Sequence, residues 1–266
     1  MRNTGGQYLA FGIAACAMAA VVTGARVTSA NTMPGLDIGM WKGLHRGLST
    51  VVVVGALALA FKASGALRTW LFGAVALSAL PGGMLEAKVA VQAAGVLHAV
   101  AASILASVTA VAALQAGWQG EVTTVEDEGS PSLAKLARAT WVGLLIQTEL
   151  GALYRHQIVG LMAHVAGAML VMGMVMYAGI AAFSTANAPA AVKRPALILL
   201  IMTGVQMLFG LAAYLYRMEV MDHATGQAAM LTFTVIHVAV GAMTTAFSAL
   251  MGMQIKRYVH PAVVAQ

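Results

Sequence analysis

VLHAVAASILASVTAVAAL, residues 96–114, decides the fold. It is an uncharged run of apolar and small residues, broken near its start by one ionisable side chain, His98. At about 1.5 Å per residue such a run is long enough, as a helix, to cross roughly 30 Å of hydrocarbon. An ionisable residue at that depth is costly and marks a functional site by default. Three more runs carry the same device: LHRGLS (44–49) with His45, MAHVAG (162–167) with His164, and VIHVAV (235–240) with His237.

The whole chain has the same character. Its 266 residues are 60% hydrophobic and 9% charged, with mean hydropathy +0.84, against roughly 25% charged residues in a soluble domain. Too few polar side chains exist to cover a water-facing surface, so the partner is a lipid bilayer. In lipid only helices and closed barrels satisfy their backbones, and the runs lack period-two alternation. The expected class is all-α, a polytopic membrane protein. Eight spans fit, at about 8–28, 44–62, 68–85, 91–115, 137–154, 158–182, 194–216 and 229–252. The third is expected to break at Pro81-Gly82-Gly83. The fifth is weak because it carries Gln147 and Glu149.

The polar stretch 117–140 divides the chain into a four-helix half (1–118), a cytoplasmic linker (119–136) and a second four-helix half (137–266). Both halves read helix, histidine helix, helix, histidine helix, in the same orientation: a parallel pseudo-repeat of two four-helix bundles. The net charge of +6 does not indicate nucleic acid, because the basic residues stand singly or in pairs between apolar runs. With the N-terminus cytoplasmic, nine of the 15 lysines and arginines fall inside and six outside. Both termini are then cytoplasmic, in a cell (inner) membrane, and all four histidines lie in the outer leaflet. The N-terminal run reads as a retained first helix rather than a cleaved signal. Cys16 is the single cysteine, so no intrachain disulfide forms. No Walker loop, GxSxG, HExxH or CxxC supports a nucleotide, hydrolase or zinc-protease reading.

Neutral imidazole ligates iron, copper and zinc. A histidine from each of two facing helices can hold a heme from both sides, leaving no open position. Such a centre transfers or stores electrons. Small residues flank the ligands: Gly43 and Gly47 by His45, Gly95 and Ala99 by His98, Gly167 and Ala168 after His164, Gly241 and Ala242 after His237. Taken singly, each histidine reads equally as a hydrogen-bonded core residue and each small residue as ordinary helix packing. The fourfold pattern favours metal or heme. Arg26, Arg46 and Arg155 stand at the outer boundary, where they suit heme propionates or simply snorkel at a helix end. Asp37, Glu86, Glu219, Asp222 and His223 fall in outer loops, where hydration accounts for them. His156 follows Arg155 in a tight turn above the second pair, and His260 lies in a cytoplasmic tail.

Four phrases carry a resemblance to a known family. They are GARVTSANTMPGLDI (24–38), KGLHRG (42–47), QTELGALYRH (147–156) and QMLFG (206–210). In this order and placement the chain resembles the heme A synthase family, over nearly its whole length. The resemblance implies that His164 and His237 ligate a heme b. It also implies that His45 and His98 form the site where heme O has one methyl group oxidised to formyl. A heme O synthase would supply the substrate, terminal-oxidase assembly factors would be partners, and the oligomeric state stays open. Two departures stand out. The family's glutamate before the first histidine is Lys42 here, with Asp37 the nearest acid, and the family's outer-loop cysteine pair is missing. These leave Asp37 and Lys42 as weak catalytic candidates. They also keep open a non-catalytic b-type heme protein for electron transfer or oxidase assembly. A metal-free helical scaffold or transporter is the third class.

Overall fold

A computed structural model describes residues 4–30, 37–88, 90–117, 124–219 and 224–261. Within them the chain forms eight α-helices: α1 (Thr4–Ala30), α2 (Gly39–Lys62), α3 (Gly65–Glu86), α4 (Val91–Gly117), α5 (Leu133–Arg155), α6 (Leu161–Ser184), α7 (Ala190–Glu219) and α8 (Ala224–Tyr258). Six of them are long and apolar enough to cross a membrane, as in a multi-pass membrane protein; α3 and α5 fall outside that group. Most helices overrun the expected spans at their ends, because polar residues beyond the apolar stretch still complete backbone hydrogen bonds.

The packing is neighbour to neighbour. Helix α1 touches α2 and α4, and α3 touches α2 and α4, so the first four helices close a ring. Helices α5 to α8 close a second ring in the same way, and the two meet through α1 against α8, α4 against α8 and α4 against α5. Small side chains make this close approach possible. The first core sets Ala10, Ala17, Ala56 and Ala60 around Leu71 and Leu105. The second sets Ala178, Ala182 and Ala196 around Val175, Leu199 and Met251. Large apolar residues point outward instead: Leu80, Leu170 and Leu208 are each about two-thirds exposed (67%, 68% and 69%). That inversion suits lipid as solvent. Several buried hydroxyls are satisfied within their own helices, as when Thr109 donates to the carbonyl of Leu105 at 2.9 Å and Ser107 to that of Ser103 at 2.8 Å.

One expectation needs correction. Helix α3 does not break at Pro81-Gly82-Gly83; it runs through to Glu86 with Pro81 buried inside it. Proline forfeits one backbone bond, a loss that neighbouring helices can absorb in a membrane bundle. The fold is all-α, with one small sheet beside the helices. A three-residue strand in the inter-half segment, β1 (Val125–Asp127), pairs in parallel with β2 (Val259–Pro261) after α8. This clasp puts the inter-half segment and the C-terminal tail on one side of the bundle. Asp127 then leads into α5, accepting from the amides of Gly129 at 2.9 Å and Leu133 at 2.5 Å.

Candidate functional site: two histidine pairs

The four histidines meet in two pairs. His45 on α2 and His98 on α4 have ring centroids 6.0 Å apart with planes at 86°. His164 on α6 and His237 on α8 have centroids 6.2 Å apart with planes at 88°. Each pair joins the two even-numbered helices of one ring, and each lies nearer the face opposite the β1–β2 clasp.

What seats the rings is on the odd-numbered helices. A Cβ on Gly24 of α1 would stand 2.8 Å from Cε1 of His45, one on Gly151 of α5 3.0 Å from that of His164, and one on Gly210 of α7 2.8 Å from that of His237. A Cβ on Gly82 of α3 would stand 4.0 Å from Cε1 of His98. So each histidine lies on a glycine of the preceding helix. The carbonyl one turn earlier supplies the second contact, since residues i and i+4 are neighbours on a helix surface. Nδ1 of His45 donates to the carbonyl of Ala20 at 3.0 Å, and Nδ1 of His237 to that of Gln206 at 2.8 Å. With Nδ1 protonated, Nε2 keeps its lone pair. Metal-ligating histidines are commonly oriented this way.

The other member of each pair is held differently. His164 takes the Gln147 amide: Nε2 of Gln147 lies 3.0 Å from Nδ1 and donates to the His164 carbonyl at 2.9 Å. In this arrangement Nδ1 of His164 is the acceptor, and ligation through Nε2 requires the Gln147 amide to turn end for end. Nδ1 of His98 is buried with no hydrogen-bond partner. Tyr154 stacks on His164 with centroids 6.4 Å apart and planes at 7°, and Arg217 lies 5.5 Å above the Tyr154 ring.

The fit to an axially held heme can be tested on these distances. Each pair brings two imidazoles together, with ring centroids 6.0 Å apart in the first and 6.2 Å in the second. His45 and His237 have the required tautomer, and the orphaned Nδ1 of His98 is a donor or acceptor still to be satisfied. Among the described residues no third histidine, cysteine or carboxylate joins either pair. A two-ligand axial centre therefore suits the donor set better than a four-ligand zinc site. Two imidazoles per pair are the donor set a bis-histidine heme would use, with the Gln147 contact to His164 as the one arrangement that opposes it.

The remaining candidates are distributed unevenly. Arg26, two residues after Gly24, lies 4.7 Å over the Trp41 ring, and its Nε is buried without a partner. Arg155 lies within electrostatic reach of both His156 and His237. Arg46 grips Glu86 of α3 in a two-pronged bridge, Nε to Oε1 at 2.9 Å and Nη2 to Oε2 at 2.7 Å, at the exposed surface. Asp37 accepts from the amide of Gly39 at 2.8 Å, at the exposed start of α2. Lys42 and Glu149 are exposed. His156 packs its ring on Gly95 of α4, linking the α5–α6 turn to the first ring. His260 stands opposite Glu126 in the clasp. Asp222, His223, the side chain of Glu219 and residues 31–36 of the 24–38 phrase lie outside the described residues.

Of the flanking small residues, Gly43 and Gly47 face open space, Gly167 packs on the Gln147 amide, and Gly241 packs on that of Gln206, where an added Cβ would come within 2.9 Å of it. The glycines that touch the histidine rings are Gly24, Gly151 and Gly210, which reading along the histidine helices alone passes over. Their signal is positional: a glycine late in each odd-numbered span, about level with the next span's histidine. Fold and site together define a helical membrane protein with two glycine-seated histidine pairs. Compared with known proteins, the chain matches no family profile and no curated protein.

Proposed function

We propose that the chain is a heme-binding membrane oxidoreductase of the heme A synthase type. His164 and His237 hold a heme b, and His45 and His98 receive the heme O whose methyl group is oxidised. The observation that carries this reading is the assembly of four dispersed histidines into two pairs, each about 6 Å between ring centroids. Heme would supply one-electron redox chemistry at each pair. The chain's own part is to bind and orient. The carbonyls of Ala20 and Gln206 fix Nδ1 of His45 and His237, and the glycine seats set the ring positions. Arg26 and Arg155 offer positive charge beside the two pairs for the carboxylates of a bound porphyrin. In this reading α3 and α5 also span, completing eight spans in two repeated bundles of the inner membrane. Both termini are cytoplasmic, and the pairs lie toward the outer leaflet.

One observation favours a second reading, a b-type heme protein that only transfers electrons or assists oxidase assembly. Lys42 is exposed where the family carries its glutamate, and Asp37, the nearest acid, accepts from the Gly39 amide at the exposed start of α2. Replacing His164 or His237 by Ala is expected to abolish a low-spin heme b spectrum, and unchanged spectra would sink the ligand assignment. Lys42→Glu then separates the two readings. If the missing acid alone limits turnover, methyl oxidation rises while heme b stays; no gain favours electron transfer or assembly.

A further inference from the structure

On the outer surface of the second ring, α5 and α6 leave a groove of about 480 Å³ between them. The groove follows one face of α5 from Lys135 to Leu150, about 22 Å at 1.5 Å per residue. That is close to one leaflet with its headgroups, half of roughly 40–45 Å. Its walls are lipid-facing side chains, with Ile146 53% and Leu170 68% exposed. Its floor is cut by Gly143, where a Cβ would come 3.2 Å from the tip of Met174. The mouth carries Lys135 and Arg138, three residues apart and so on one helix face. Both are exposed, and neither joins an ion pair among the described residues. The nearby Asp127 is committed to the backbone amides that open α5.

An apolar slot one leaflet deep, with two unpaired cations at its polar end, is complementary to one class of molecule. We propose that this groove binds an anionic phospholipid, its phosphate on Lys135 and Arg138 and an acyl chain along Gly143 toward Leu150. Basic pockets between membrane helices recognise acidic headgroups by this combination of charge and apolar depth. A second copy of the chain is a poorer occupant. A twofold contact through this face would bring the same two cations against each other. Near the inner end of the groove lies Gln147, whose amide contacts His164, so an occupant would lie one side chain away from the second histidine pair. The proposal does not depend on heme.

The test uses the full chain, purified in detergent and stripped of lipid. Native mass spectrometry then follows titration with phosphatidylglycerol, phosphatidylcholine or inorganic phosphate. One phosphatidylglycerol per chain is expected to bind at least tenfold more tightly than phosphatidylcholine. Lys135→Ala with Arg138→Ala should lose that preference, and Lys62→Ala with Arg68→Ala, which removes two cations elsewhere, should keep it. Gly143→Leu, which fills the floor, should weaken both lipids. The lysine–arginine variant changes only exposed positions, so it reads out even if the glycine variant misfolds. Equal binding of the two lipids, no effect of the lysine–arginine variant, displacement by inorganic phosphate alone, or a dimer lost in Gly143→Leu without lipid retention would each overturn the proposal.

Discussion

Gly210→Ala separates a seat for a ligand histidine from ordinary helix packing. On packing grounds alone the change should help, because alanine is favoured over glycine in a helix interior by roughly 1 kcal/mol. At Gly210 the new Cβ would lie 2.8 Å from Cε1 and 3.0 Å from Nδ1 of His237, while ordinary contact begins at 3.4 Å. The ring must therefore retreat by at least about 0.6 Å. It cannot do so freely, since Nδ1 is tied to the Gln206 carbonyl at 2.8 Å. Stretching that bond costs about 0.5–1.5 kcal/mol, and leaving the buried donor unpaired costs about 1–3 kcal/mol. The net expectation is a loss of about 1–2 kcal/mol, with His237 displaced from His164. Gly204→Ala on the same helix is the control. Nothing lies within 4 Å of its Cβ, so it should gain up to about 1 kcal/mol. The assay is reversible unfolding in detergent with the absorption spectrum of the same samples. A neutral or stabilised Gly210→Ala with an unaltered heme spectrum would refute the seat.

Two further outcomes test other parts of the account. Arg46→Ala should cost less than about 1 kcal/mol and leave any heme spectrum unchanged, because the bridge to Glu86 is exposed; loss of heme would show that Arg46 serves the site after all. Burial first, and the charge of Arg155 second, hold His156 below its ordinary value of 6.5. The unfolded chain then takes up this proton more readily than the folded one. The contribution of His156 to stability is complete above about pH 6.5 and falls as pH drops toward the lowered folded value. Unfolding followed from pH 7.5 to 5.5 should therefore show a steeper loss in the native chain than in His156→Gln, and parallel curves would contradict the packing of that ring on Gly95.

The pairing of the histidines was legible in the sequence because each sits early in an even-numbered apolar run. In a bundle whose helices alternate in direction, such residues come to the same depth. The glycine seats were not legible. A glycine in a membrane helix reads as packing until the ring above it is seen, and Gly43 and Gly47, adjacent in sequence to His45, face open space. The partner of Arg46 was not legible either. Position near a ligand says nothing about direction, and Glu86 of α3, read as merely hydrated, proved to be its partner. Pro81 was read as a break because its local preference outweighed the support of the bundle around α3. The β1–β2 clasp joins two three-residue segments far apart in the chain, too short to leave a periodic signal. Gln147 drew notice as a polar residue in α5, but its role as the hydrogen-bond partner of His164 emerges only from the packing of α5 on α6.

The central claim is that both histidine pairs hold heme. Heme extraction and chromatography of the protein, purified from cells that also make heme O, tests it most directly. The account predicts heme b together with heme A or a hydroxylated heme O. Heme b alone would transfer the case to the electron-transfer reading, and protein free of heme under full heme supply would contradict the claim.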